Sequence, residues 1–421
     1  MSFESISGGA TEPSLDRNAG LTQLVECQLP KLDVAGSNPV SRSMRRTALT
    51  GWCVAFLLLG CLPESEEIPS DSIPSDGKLS VMAEGEKGLK RLDPRNGWWP
   101  SAAFSDDGVL HVGWCNGRTG QVWYARQGLD GHWTKEPVDT SPGAGRYVTM
   151  ALDRNGRPMF AYQVQEEKLY RFLRQTPTGW QQETISKEDG DGRGAQLAEG
   201  PDGTIHLIYY DVNIGLHHAQ RGKDGRWTHE TITDEAQGAH TLRPALHIHD
   251  DGRITLLFAD ARFVKTGLRR AERDRAGKWT LSTVDKLYSP GRSVAFVGPA
   301  KDPTASWVYS VNGKAWIKLG ERGRSPRLLA RKASFVRALL DMAGKPVILT
   351  GGTDRSLTHL TRHAYLIRYD QRHGKFRHFK IGDANVVHSD LAVSKTGRIV
   401  SVFTDETDGT MYLHELGPDQ Y

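Results

Sequence analysis

The 421-residue chain is poor in cysteine, in long apolar runs and in excess charge of either sign. Four cysteines over this length cannot form a disulfide scaffold. The longest apolar stretch, Thr47 to Leu62, falls short of the roughly 20 residues that a spanning helix needs. Lys and Arg number 54 against 50 Asp and Glu, a net +4 that does not call for a nucleic-acid partner. No Gly-x-Ser-x-Gly, no P-loop and no His-Glu-x-x-His stands in the sequence, so the motif-borne hydrolase, nucleotide and zinc-protease sites are missing. His217-His218 and the run His240, His247, His249 lack ligand company at a metal-binding spacing, so neither zinc nor any cofactor is expected. With 38% hydrophobic and 25% charged residues, the composition is that of a soluble globular protein. Glycine is what the chain has in excess: 45 residues with no collagen-like period, the mark of many turns.

The first part of the chain reads as an address. Met44-Arg45-Arg46 precedes the short apolar run TALTGWCVAFLLLGCL, the basic-then-apolar order of an export signal. Leu58-Leu59-Gly60-Cys61 resembles the lipobox of bacterial lipoproteins, which implies a signal peptide at 44–60 and acylation of Cys61. Such signals act from the extreme N-terminus, so residues 1–43 are expected to lie ahead of the true start and to be untranslated. Gly36-Ser37-Asn38-Pro39 within them is what the T-loop of a transfer RNA gene spells when read as codons. Between Leu62 and Gly77 stand five carboxylates and no base, so 61–87 reads as the acylated Cys and a flexible tether. Leu62, where lipoproteins retained in the inner membrane carry Asp, favours the outer membrane. The expected location is the bacterial cell envelope, with membrane contact through the lipid anchor alone. Acylation of Cys61 leaves Cys115 as the one free thiol of the mature chain.

The remainder repeats. GVLHVGWCNGRTGQVWYARQGLDGHWTKEPVD, GTIHLIYYDVNIGLHHAQRGKDGRWTHETIT and GRITLLFADARFVKTGLRRAERDRAGKWTLSTVD align from end to end. Turn glycines recur at Gly108, Gly156, Gly203, Gly252, Gly344 and Gly397, and a divergent unit with Lys301-Asp302 at the turn fills the one double gap. Trp133, Trp180, Trp227 and Trp279 recur in step with them as packing anchors, with Phe376 in the sixth unit. Runs of four to seven alternating residues between Gly, Asp and Asn turns are strand signals. Four such strands about every 48 residues make a propeller blade, and the 334 residues from 88 to 421 hold seven. The seventh unit ends one strand short, whereas Gly88-Leu89-Lys90-Arg91-Leu92-Asp93 resembles the outer strands WTKEPVD and WTLSTVD. The expected fold is therefore all-β: a seven-bladed β-propeller of four-stranded antiparallel blades, closed by an N-terminal strand that completes the last blade.

The first strand of each blade lines the channel of such a ring. Nine or ten residues before the turn stand Trp98, Arg146, Arg193, Arg243, Arg292 and His388, with Arg337 seven before Gly344. The second strand ends at the same rim with Asn116, Val164, Asp211, Asp260, Ser310, Gly352 and Asp405. Residues 1–87 carry 7 basic and 12 acidic side chains, leaving 47 against 38, a net +9, on the propeller. A mouth that focuses positive potential suits an anionic ligand. Arginines and aspartates reused in every repeat also suit structural pairing between blades, and both readings stay open. Of Tyr209-Tyr210 and Trp98-Trp99, alternation turns one of each pair inward and leaves the other as a candidate sugar-stacking platform.

Units such as PDGTIHLIYYDVNIGLHHAQRGKDGRW resemble sialidase-like propellers with BNR-type repeats, over the whole of 88–421. That family's Asp-box is approached at Ser105-Asp106-Asp107-Gly108, which places Gly one position early and lacks the Trp. The resemblance implies sugar ligands. Sialidases hold a carboxylate with three Arg, and seven-bladed polysaccharide lyases use His, Tyr and Arg beside a neutralised uronate. The function expected from the sequence is binding, by a monomer, of an anionic glycan or an envelope protein at the Arg-rich mouth. The candidate residues are Arg146, Arg193, Arg243, Arg292, Arg337, His388, Asp211, Asp260 and Asp405. The alternative is a glycosidase or lyase acting on anionic sugars.

Overall fold

The computed structural model describes residues 89–416, apart from 94–95, 187–192, 212–214, 235–242, 261–266, 286–289, 321–324, 332, 334, 356–359, 371–372, 374 and 382–385. The expectations for the start at Met44, the signal, Cys61 and the tether lie outside the described residues. Alternating apolar residues between tight turns fold into seven four-stranded antiparallel sheets. Blade 1 is Gly97–Asp139, blade 2 Arg146–Ser186, blade 3 Arg193–Thr233 and blade 4 Ala245–Asp285. Blade 5 is Pro290–Ala330, blade 6 Phe335–Ile381, and blade 7 joins Val386–Glu415 to the closing strand Leu89–Asp93. The closing strand pairs with Met411–Glu415, Leu89 opposite His414 and Lys90 opposite Leu413, as the sequence repeat predicted.

The turn glycines are turns of one kind. Gly108, Gly156, Gly203, Gly252, Gly344 and Gly397 all have φ between 69 and 88°, a left-handed conformation that glycine takes without steric cost. In blade 5, where Lys301-Asp302 stands instead, a short 3-10 helix over Pro303–Ala305 makes the turn.

Apolar burial is arranged between blades. Seven clusters of buried side chains each draw on two neighbouring blades, so the ring has seven interfacial cores and no central one. The anchor tryptophans serve these seams: Trp180 of blade 2 meets Tyr124 of blade 1 edge-on at 5.4 Å, and Trp227 of blade 3 meets Phe172 of blade 2 at 5.3 Å. Tyr209 and Tyr210 are both buried there, 6% and 2% exposed, so neither is a sugar platform. Tyr209 instead stacks on Tyr170 at 5.5 Å.

Aspartates that end outer strands, Asp93, Asp139 and Asp285, tie three of the seams. Asp93 accepts hydrogen bonds from Trp114 Nε1 at 2.8 Å and Asn116 Nδ2 at 3.4 Å of blade 1. One blade on, Asp139 accepts from Tyr162 Oη at 2.6 Å and Arg171 Nη1 at 2.8 Å. The resemblance of the closing strand to WTKEPVD therefore reflects a shared latch.

Candidate functional site

The first strands of the blades enter the ring through a repeated irregularity. Their pairing slips between Trp98 and Ser101, Arg146 and Thr149, Arg193 and Gln196, Pro290 and Val294, and Val386 and Ser389. A bulge of this kind re-aims side chains that an unbroken strand would turn into the sheet. In blades 1 to 3 the same bulge position, nine residues before the turn glycine, is left-handed: Trp99 at φ 50°, Tyr147 at 56° and Gly194 at 66°. For two bulky aromatic residues this costs about 1–2 kcal/mol each, which packing on both sides must sustain.

These residues wall a cavity at the axis, together with Arg243, Ser293, Phe335, Arg337, His388 and Ser389. The cavity measures ≈ 50 Å³ in space open to water centres. At about 10–15 Å³ per water, that admits a few waters or one carboxylate, and a sugar ring would have to rest at the mouth.

The wall has two unlike sides. From blades 1, 2 and 7 come Trp99, Tyr147 and His388, with Trp99 ring centroids 5.1 Å from Tyr147 and 5.5 Å from His388. Trp98 backs His388 at 5.4 Å. From blades 4 and 6 come two guanidinium groups. Arg243 crosses the axis from blade 4 to blade 7, where its Nη1 pairs with Asp390 Oδ1 at 2.9 Å. Asp390 Oδ2 accepts from Ser101 Oγ at 3.0 Å and from the Ala102 amide at 3.1 Å, so three donors hold this carboxylate. Arg337 donates from Nη1 to the Val336 carbonyl at 2.9 Å, while its buried Nε has no acceptor. Burial first, and then Arg243 beside it, pushes Arg337 down to about 9, against the pull of Asp390. It remains a cation at neutral pH. Two positive groups and one negative group therefore meet at the channel floor.

Of the residues singled out in the sequence, Arg243, Arg337 and His388 come together in this cavity. Arg146 does not line it. Arg146 is buried with its guanidinium over the Tyr147 ring at 5.0 Å, because it stands ten residues before its turn and not nine. Asp405 shapes the turn beyond its strand, its Oδ1 accepting from the Thr407 amide at 2.9 Å. The side chains of Arg193, Arg292, Asp211 and Asp260 lie outside the described residues. Ser105 and Asp107, at the approach to an Asp-box, form a local turn network with His111 remote from the cavity wall. Tyr147, Ser389 and Asp390 were missed by sequence reasoning, which had named Trp99 only as one of the pair Trp98-Trp99 from which a sugar platform could come. Counting every blade strictly nine before the turn would have found Trp99 and Tyr147, and counting seven would have set Asp390 level with Arg337. Among the described residues, no group of three or more His, Cys, Asp and Glu side chains is placed to hold a metal ion, and no helix is long and apolar enough to cross a membrane.

No known family profile matches the chain, and no curated protein matches it in sequence. Solved structures do. An ancestral GH74 enzyme matches with TM-score 0.54 and 12% identity over 81% of this chain and 51% of its own. The present chain thus spans about half of that enzyme's length. AofleA from Arthrobotrys oligospora matches at TM-score 0.46 and 12% identity, over 80% of this chain and 89% of its own. A puromycin hydrolase matches at 0.47 and 14%, over 78% and 55%. At these identities the likeness extends to the fold, and the protein is a seven-bladed β-propeller.

Proposed function

We propose that the ring is a binding protein for an anionic glycan, taking a carboxylate at the channel floor and a sugar ring at its mouth. The observation that carries this reading is the two-sided wall, Arg243 and Arg337 facing Trp99, Tyr147 and His388. Guanidinium groups suit carboxylates, and aromatic faces suit the apolar faces of sugar rings. The wall also breaks the seven-fold repeat, which a purely structural arginine device would not do. Held by an acylated Cys61, the propeller would present this mouth at the bacterial envelope. Titration of the full chain with acidic oligosaccharides is the test. Binding that falls at least tenfold in Arg243→Ala and Arg337→Ala supports the reading, and retention of affinity in both removes it. Transfer of Cys61→Ser protein from the membrane to the soluble fraction tests the anchor.

A second reading is a polysaccharide lyase, favoured by the presence of Tyr147, His388 and two arginines in one cavity. There a base would take the proton α to a neutralised carboxylate, the C–O bond at the β carbon would break, and a carbon–carbon double bond would form. A glycosidase is less well served: Asp390, the carboxylate described beside the cavity, is already held by three donors, and no opposed carboxylate pair stands among the described lining residues. Ultraviolet absorbance of an unsaturated product during incubation with polyuronates decides between binding and elimination.

A further inference from the structure

Among the described residues, Asp390 is the one negative group beside the guanidinium groups of Arg243 and Arg337, and it comes from the far side of the ring from Arg243. We infer that Asp390 is a specificity-determining residue that takes one positive charge off the floor, so that the site takes monoanionic ligands and disfavours dianionic ones. This inference rests on the anion-binding reading above.

The geometry supports a tuning role over a merely structural one. Blades 4 and 7 are not neighbours, so the Arg243–Asp390 pair at 2.9 Å spans the channel and joins no seam. The seam between blades 7 and 1 is already served by Asp390 Oδ2, through Ser101 Oγ and the Ala102 amide. Those two neutral donors would hold an amide oxygen in the same place. Oδ1 is left for Arg243 alone among the contacts described at this atom. Both partners are only slightly open to solvent, 15% and 14% of their side chains. The charge therefore acts at short range and little screened. Arg337 stands at the same strand position as Asp390, seven residues before its turn. A single carboxylate fits this floor in charge. A phosphate, with a second pKa near 6, brings a second negative charge that Asp390 opposes. Without Asp390 the floor would gain one positive charge and the preference would shift towards the dianion.

Calorimetric titration of the full chain with D-glucuronate and D-glucose 6-phosphate near pH 8 tests this, because both are hexoses and differ in anion charge. Wild type is expected to bind glucuronate the tighter. Asp390→Asn is expected to tighten glucose 6-phosphate about tenfold or more while changing glucuronate less, which inverts or erases the preference. Arg337→Gln, which removes one positive charge from the floor, is expected to lose glucuronate. The double variant Arg337→Gln/Asp390→Asn, which restores the wild-type charge, is expected to recover glucuronate to within a few fold of wild type. An unchanged ratio of the two affinities in Asp390→Asn overturns the inference while leaving the site intact. Loss of neither ligand in Arg243→Ala overturns the site itself. If Asp390→Asn shows no cooperative melting, the wild-type ratio decides, and tighter binding of the phosphate sinks the proposal.

Discussion

At the scale of single residues, the clearest physical consequence is a response to acid. His111 and His206 occupy the same repeat position, three residues after Gly108 and Gly203, and both are 6% exposed. Burial pushes each down to about 4 from an ordinary 6.5. His206 also lies against His218, Nδ1 to Nε2 at 3.0 Å, and His218 Nδ1 donates to Glu230 Oε1 at 2.6 Å. Burial would raise Glu230, but His218, Trp279 and Arg273 bring it to about 2; the carboxylate orients the two imidazoles, and burial, against the pull of Glu230, keeps them neutral. Below pH 6.5 the unfolded chain takes up protons that the native ring refuses. The stability contributed is present above that pH and is lost as pH falls towards 4, by about 3 kcal/mol for each histidine at full swing. Urea midpoints measured from pH 7 to 4 should fall, with shallower slopes in His111→Gln and His206→Gln; a flat profile would contradict the burial argument. At the mouth, Trp99→Gly relieves a left-handed bulky residue and removes a partly exposed ring. Strain relief offsets part of the lost packing against the blade 1–2 core, so stability should fall by about 1–3 kcal/mol, while glucuronate affinity falls at least tenfold. A large loss of stability with affinity kept would make Trp99 a packing residue. These roles were only half legible in the sequence. Arg146 and Arg243 look equivalent there, yet a bulge makes one residue of offset the difference between a buried guanidinium and one that crosses the axis.

At the scale of elements, the blades were legible because each rests on local chemistry: left-handed turn glycines, alternating strands and anchor tryptophans. The seams were legible only through the resemblance of Leu92-Asp93 to Val138-Asp139 and Val284-Asp285. In the structure all three aspartates reach an aromatic residue on the next blade's second strand, Asp285 accepting from Tyr309 Oη at 3.5 Å. At Asp93 the latch is reinforced by Lys135, whose Nζ lies 3.9 Å from Asp93 Oδ2 and 4.8 Å from the Trp123 ring centroid. Asp93→Ala leaves the Trp114 indole, the Asn116 amide and the Lys135 ammonium without that acceptor, at a cost of about 2–3 kcal/mol. Truncation to begin at Pro94 removes the latch together with buried Leu89 and Leu92 and exposes the edge of Met411–Glu415. The truncated chain should melt well below the Asp93→Ala variant. Equal melting temperatures for the truncated and intact chains would refute closure by this strand.

At the scale of the molecule, the ring has seven interfacial cores and a channel whose wall is shared, so a ligand at the mouth touches blades that do not touch each other. Arg243, Arg337 and Trp99 come from blades 4, 6 and 1 and meet only when the ring is closed. The site therefore does not exist in an opened ring, and ligand should stabilise the whole fold by about 2.7 kcal/mol at a hundred times its dissociation constant. The field around the site has two ranges. The net +9 of residues 88–421 acts over distance and is screened beyond about 8 Å at physiological salt. The contact with Arg243 and Arg337 inside the cavity is much less exposed to that screening. Raising salt from ~0.05 M to ~0.5 M should accordingly slow association of an acidic oligosaccharide several fold and alter dissociation little. Stopped-flow measurement of both rates checks this. A dissociation rate that climbs as steeply as association falls would place the ligand on the exposed rim, where Arg243 and Arg337 have no part in holding it.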